Sequence, residues 1–298
     1  MDAVTGMLYE ILVRTICEYR YSAKGSRHLI RLMPLADPGA QRLIAGSLEI
    51  LPQPQERNDR VDFFGNHASE AVFTGMHDEV EMVLRARVER QLPARQMDIS
   101  PPLAGFAAKI EAHRQLFSDA PHHFIGPSPM IAPDAAVSLW VRGAVPIHGS
   151  VLEAVMAINT ALYRHMTYDP DATDVDTPMS VAFAQRRGVC QDYAHIMICA
   201  LREVGIPAGY VSGLLRTEPP PGQPRLEGAD AMHAWVMAWC GADLGWVEFD
   251  PTNDLRVGTD HIVVARGRDY SDVAPVKGVL WTSGPQTTRQ TVDVVPLG

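Results

Sequence analysis

The chain has 298 residues, 46% of them hydrophobic and 20% charged, and a formal net charge of -9 at neutral pH. This is an ordinary globular composition of about two domains' length, and its acidic balance excludes a general nucleic-acid surface. No apolar run reaches the roughly 18 residues of a membrane helix, so no membrane partner is expected.

The N-terminus, MDAVTGMLYEILVRTICEYRY, reads as a strand with charges through it. It lacks the basic stretch and apolar run of a signal peptide. The four cysteines, Cys17, Cys190, Cys199 and Cys240, form no CxxC pair and no cluster with histidine. Neither a disulfide framework nor a metal site is predicted, no cofactor is called for, and a cytoplasmic location is expected.

Residues 1–93 carry short strand-like runs at 9–13, 15–21, 29–33, 42–51, 61–64, 71–73 and 80–88, broken by turn residues such as Gly65-Asn66. That spacing predicts an antiparallel β-sandwich or barrel. His28, His67 and His77 stand alone there and read as surface or hydrogen-bonded histidines. Residues 94–146 read as a helical and loop connector, with a helix opening at Pro101-Pro102 and running to Leu116. The adjacent His122 and His123 fall in a proline-bounded loop without a third ligand and read as a solvated turn.

From residue 147 to 298 the pattern changes to helices followed by antiparallel strands, which makes the fold class α+β. Ser150 caps a predicted helix from Val151 to His165, with Val155, Ile158 and Leu162 at helical spacing. Thr177-Pro178 opens a second helix through Arg186. Gly188 ends it, and a third begins at Cys190. Strands are predicted at 208–215, 232–239, 245–250, 261–265, 278–281 and 290–295. The proline-rich loop from Glu218 to Pro224 is predicted to border a substrate groove.

A thiol at a helix start meets unpaired backbone N–H groups and the positive end of the macrodipole. Both favour the thiolate, which is the nucleophile. Such a cysteine needs a base and an orienting group. His233 and Asp250 sit on neighbouring strands joined by a short turn, and a hairpin brings them together. An Asp250 bond to Nδ1 of His233 would leave Nε2 for Cys190. Asp250 is preferred over Asp243 and Asp254, which lie in turns. Cys199 and His195 lie off the reactive face of the helix and read as core. Asp192 reads as bonded to a loop near the helix start. Arg268 and Asp269 read as a structural ion pair.

The run Gly188-Val189-Cys190-Gln191-Asp192-Tyr193-Ala194-His195, followed by Gly205-Ile206-Pro207, resembles the cysteine motif of bacterial transglutaminase-like proteins. Ala231-Met232-His233-Ala234-Trp235-Val236 and Glu248-Phe249-Asp250-Pro251-Thr252-Asn253 resemble the histidine and aspartate motifs of that family. The N-terminal β region and the segment Gly267 to Pro275 match the same subgroup, so the resemblance covers nearly the whole chain. It implies a papain-like core of helices on an antiparallel sheet and a catalytic triad of Cys190, His233 and Asp250. It also implies acyl transfer through a thioester, on a peptide, protein or small amide substrate. The first oxyanion donor is the Cys190 backbone N–H, and Gln185 is a candidate for the second. Gln191 and Trp235 are candidates for the substrate groove, with Trp235, like Trp239 and Trp246, reading as core or groove wall. Hydrolysis and transamidation both remain open, and the alternative is a catalytically silent binding module on the same fold.

Overall fold

Apolar and polar side chains alternate along the N-terminal run, and alternation turns one face of a strand inward. In the computed structural model, which describes residues 6–91, 97–113, 115–146, 148–218, 226–228, 230–281 and 284–297, this run is one strand, β1 (Gly6–Ala23). Two shorter strands were predicted there. The alternation carries through Thr15, which is buried between Val13 and Cys17, so the ladder with the strand His77–Gln91 is unbroken where the two predicted strands meet. Next come β2 (Ser26–Ile30), β3 (Gln41–Leu51), β4 (Glu56–Val61), β5 (His67–Phe73) and β6 (His77–Gln91). The strand expected at 61–64 lies earlier, as β4. Its residues Glu-Arg-Asn-Asp-Arg-Val are all exposed on a sheet edge, so no hydrophobic alternation marks it.

The connector holds α1 (Phe106–Ala112), a 3₁₀ turn at Pro121–Phe124 and α2 (Ala135–Ala144). Helix α1 stops short of the predicted Leu116. Helix α2 was not predicted; Asp134 caps it, accepting from the N–H groups of Ala136 and Val137. Helix α3 (Val151–His165) starts as expected, with Ser150 and Glu153 forming a reciprocal capping box. Then follow β7 (Thr167–Tyr168), α4 (Met179–Gln185), β8 (Arg187–Gly188), α5 (Cys190–Glu203), β9 (Ala208–Leu215), β10 (Ala231–Trp239), β11 (Trp246–Asp250), β12 (Leu255–Arg256) and β13 (His261–Gly267). The short helix α6 (Tyr270–Val273), β14 (Val276–Leu280) and β15 (Gln286–Pro296) end the chain.

The central sheet has the order β12-β11-β10-β9-β13 and is antiparallel throughout. Helix α5 packs on β9 and β10 and is buried from Gln191 to Leu201, enclosed further by α2, α3 and α4. Burying side chains such as Ile196, Met197 and Leu201 contributes roughly 1.5–3 kcal/mol each, which anchors the helix carrying the thiol.

The chain's last strands are not part of that core sheet. β15 pairs with β1 over eleven positions, from Tyr9↔Pro296 to Tyr19↔Gln286, and β14 pairs with β2. The N-terminal unit is therefore two four-stranded sheets, β15-β1-β6-β3 and β14-β2-β5-β4. The expected division, which gave residues 147–298 wholly to the core, is corrected here. Period-two patterning marks a strand but does not name its partner.

The two units are joined along the outer edge of β13. Gln41 donates to the carbonyls of Leu35 and Val263 and accepts from the Val263 N–H, all within 2.8 Å. Asn66 donates to the Arg266 carbonyl and accepts from the Arg266 N–H, both at 2.8 Å. These amides satisfy the backbone groups of a strand that would otherwise be an open edge. Beneath them, Arg266 pairs with Asp37 at 2.7 Å and with Glu248 at 2.5 Å. No helix among the described residues is long and apolar enough to cross a membrane.

Candidate active site

Cys190 is the first residue of α5, and Val189 before it has extended geometry, φ -104° and ψ 179°. The thiol is half-buried, whereas Cys17, Cys199 and Cys240 are buried. Asp192 folds back at the helix start and accepts from the Val189 N–H at 2.8 Å and from the Thr173 hydroxyl at 2.6 Å. Its carboxylate is held by these donors, as the sequence reading expected. Gly188 makes this fold-back possible: a Cβ there would stand 2.5 Å from Asp192 Oδ2.

His233 lies in the first half of β10. The register pairs Val236 with Phe249, so Asp250 comes opposite Trp235 and diagonal to His233. His233 Nε2 lies 2.8 Å from Asp250 Oδ2, and Cys190 is within hydrogen-bonding reach of the same imidazole. The ring is thus turned the other way from the expected orientation. Asp250 holds Nε2, which leaves Nδ1 for the sulfur. The diagonal placement, rather than a directly opposed pair, brings the far nitrogen to the carboxylate.

Asp250 is completely buried. Its Oδ1 accepts from the Thr252 N–H at 2.9 Å and the Asn253 N–H at 3.3 Å. Its Oδ2 meets His233, the Asn253 side-chain amide at 2.7 Å, and His261 Nε2 at 3.1 Å. Burial by itself would raise this carboxyl's pKa. The bonds from His233, His261 and Asn253 outweigh burial and hold it well below the usual carboxylate range. Burial disfavours a charged His233, yet its bonds to Asp250 and Cys190 raise its pKa from 6.5 to about 10. His233 therefore keeps its second proton at neutral pH.

The nitrogen and oxygen atoms of His233, Asp250 and His261 lie within 4.8 Å of one another, close enough in principle to share a cation. The donor set fits a hydrogen-bonded carboxylate better. Oδ2 already faces the Asn253 amide, whose protons would oppose a metal ion at that oxygen.

Three other candidates fall differently. Trp235 is fully buried, with its indole N–H on Glu248 at 3.2 Å and its ring against His261 at 5.2 Å. A side chain with no exposed surface cannot line a groove, so that expectation is corrected. Gln191 is nearly buried and spends its amide N–H on the Val175 carbonyl at 3.0 Å, which ties down the segment before α4. Gln185 is exposed at the last residue of α4, ahead of Arg186 in the left-handed conformation, φ 55°.

His195 is buried, accepts from the Tyr270 N–H at 3.2 Å, and has its pKa pushed down to about 4, chiefly by burial. Cys199 is in the core, with a pKa pushed up to about 12 by burial and then by Glu203. Asp254 braces the turn after β11 against Asn159 and Thr160 of α3. Arg268 pairs with Asp272, at 2.8 and 3.0 Å, rather than with Asp269, which caps α6 through the Ser271 N–H. The loop expected at the groove, Glu218 to Pro224, lies outside the described residues from position 219.

The sequence does not single out His261. It opens the strand expected at 261–265, and no motif names it. Its one signal is position: it follows Asp250 by 11 residues, past the short strand β12.

Residues 143–251 match the family model of the transglutaminase-like superfamily. Residues 9–89 match the bacterial transglutaminase-like N-terminal region. An uncharacterized protein of Mycobacterium tuberculosis is 32% identical over 302 aligned positions, covering 97% of this chain and 92% of the relative. A protein-glutamine gamma-glutamyltransferase of Pseudomonas aeruginosa is 39% identical over 87 residues, 29% of this chain and 13% of that protein. A crystal structure from Cytophaga hutchinsonii, provisionally designated a cysteine protease, superposes with a TM-score of 0.76 at 22% identity, covering 99% of this chain and 92% of that one. Family and fold together support cysteine-based amide chemistry in general terms. The chain belongs to the transglutaminase-like superfamily, and its N-terminal part is that superfamily's bacterial N-terminal region.

Proposed function

We propose that the protein breaks or exchanges amide bonds through a thioester formed on Cys190, with His233 as acid and base and Asp250 as its orienting partner. The observation that carries this reading is the placement of one imidazole between the half-buried thiol and a buried carboxylate. An imidazolium beside the sulfur favours the thiolate.

In the first step Sγ attacks the carbonyl carbon of the amide, and the C=O π pair moves onto oxygen. The Cys190 backbone N–H, at the first position of α5 where helix N–H groups have no intrahelical acceptor, would bind that oxyanion. As the tetrahedral state collapses, the C–N bond breaks, and the leaving nitrogen takes the proton from Nδ1 of His233. The acyl group is then a thioester of Cys190. In the second step neutral His233 removes a proton from water or an amine, whose lone pair attacks the thioester carbon. The C–S bond breaks and the thiolate returns beside the imidazolium. The bond from Nε2 to Asp250 fixes the ring through both steps.

The test is mass spectrometry of a peptide library incubated with wild type and with Cys190→Ala, with and without added primary amines. Cleaved, deamidated or amine-linked products in wild type alone are expected. Identical product spectra from the two proteins would contradict the reading and favour a binding module on this fold. The water-derived and amine-derived products separate hydrolysis from transamidation.

A further inference from the structure

The order of strands in the central sheet separates His261 from the carboxylate it touches. β13, which His261 opens, and β11, which Asp250 ends, have β9 and β10 between them. On a flat sheet three strand spacings would put them roughly 14 Å apart. Yet His261 Nε2 is 3.1 Å from Asp250 Oδ2. The sheet therefore curls at this end, so that the start of β13 closes back onto the end of β11.

The residues between have made room for this. Gly213 of β9 pairs with His233 on one side and Val263 on the other. A Cβ there would lie 2.2 Å from both the Ile262 carbonyl oxygen and the Trp235 ring. The Trp235 ring fills the space over Gly213, and the His261 ring stands perpendicular to it, 5.2 Å between centroids. Trp235 is fixed in turn by Glu248. His261 is thus packed against a fixed indole, and its Nε2 is left for Asp250. Its Nδ1 is buried and has no hydrogen-bond partner among the described residues. A buried imidazole with one unmade bond is costly, so the bond it does make is what the position retains.

We propose that His261 is a positioning residue for the reaction, donating from Nε2 to Asp250 so that Oδ2 is held at the Nε2 edge of His233. This rests on the triad reading above and extends it by a fourth side chain. The titratable groups facing His233 are Asp250 from β11, Cys190 from α5 and the His261 ring from β13, whose centroid is 6.1 Å away. Tyr168 of β7 and Tyr210 of β9 face Cys190. Without His261, Oδ2 keeps, among the described residues, the Asn253 amide and His233. The carboxylate is then free to turn, and its support for the imidazolium weakens.

The experiment is site-resolved alkylation of the full chain by iodoacetamide at pH 6 and pH 10, read by mass spectrometry at each cysteine. It is done on wild type, His261→Leu, His261→Gln and Asp250→Asn. Leucine removes the donor, and glutamine keeps an N–H near the position of Nε2. The pH 6 to pH 10 rate ratio at Cys190 is expected to fall about tenfold in His261→Leu, the equivalent of one pKa unit, in the direction of Asp250→Asn. It is expected to return to within about twofold of wild type in His261→Gln, well inside that one-unit shift. Slow alkylation of Cys17, Cys199 and Cys240 reports that a variant is folded. If the leucine variant unfolds, His261→Phe, a ring of similar size without the donor, replaces it: a ratio lowered toward that of Asp250→Asn supports the proposal, and a wild-type ratio overturns it. A folded His261→Leu with a wild-type ratio also overturns it. A wild type in which Cys190 reacts no faster than the other three defeats the underlying triad reading instead, so the two failures are distinguishable.

Discussion

At the scale of single residues, the site is a chain of hydrogen bonds in which each member sets the charge of the next. Asp250 is kept ionised in a fully buried position by five donors, and His233 is kept protonated by Asp250 and Cys190. This has a consequence for stability. The folded-state pKa of His233 is raised from 6.5 to about 10, so its contribution is fully present below pH 6.5 and is lost as pH rises toward 10. The melting-temperature gap between wild type and His233→Gln should therefore be widest near pH 6 and shrink between pH 7 and 10. A gap that stays constant or widens over that interval would mean that the imidazole is neutral in the folded protein. His195 works the opposite way: burial first pushes it down to about 4, so it is stabilising only as a neutral ring in the core.

At the scale of elements, α5 and the hairpin of β10 and β11 are what the sequence announces most clearly. The helix start was readable because Gly188 precedes a long apolar run. The hairpin was readable because two apolar strands flank the Gly241 to Gly245 turn. The choice of His233 nitrogen was not readable, since it depends on a diagonal rather than a direct cross-strand pair. The burial of Trp235 was not readable either, because an aromatic residue two positions from the base suits a groove wall as well as a core. Its position follows from Gly213 on the next strand. Gly213→Ala would push a methyl group into the Ile262 carbonyl and the Trp235 ring, and should destabilise the protein by about 2 kcal/mol or more. Chemical denaturation measures this directly. A change below about 0.5 kcal/mol, the range of an inert surface substitution, would show that the space over Gly213 is looser than these distances imply.

At the scale of the whole molecule, the chain ends where it began. Strands β14 and β15 return to complete the N-terminal sheets, so the core is inserted between the parts of the unit that flanks it. The sequence showed strands of the right period at 278–281 and 290–295 but not their destination, because pairing partners at such separation leave no local mark. The same holds for Gln41 and Asn66, two polar residues of the N-terminal unit that cap β13 some 200 positions away. The result is one chain in which three thiols are enclosed and one is not. Burial pushes Cys17 up, and Cys199 and Cys240 up to about 12, while Cys190 is half-buried beside an imidazolium. The most direct test is a time course of iodoacetamide labelling of the native protein at pH 6, resolved at each cysteine by mass spectrometry. Labelling of Cys190 alone, with the other three unmodified, is the expected result. Slow labelling of all four at similar rates would contradict a nucleophile at the start of α5.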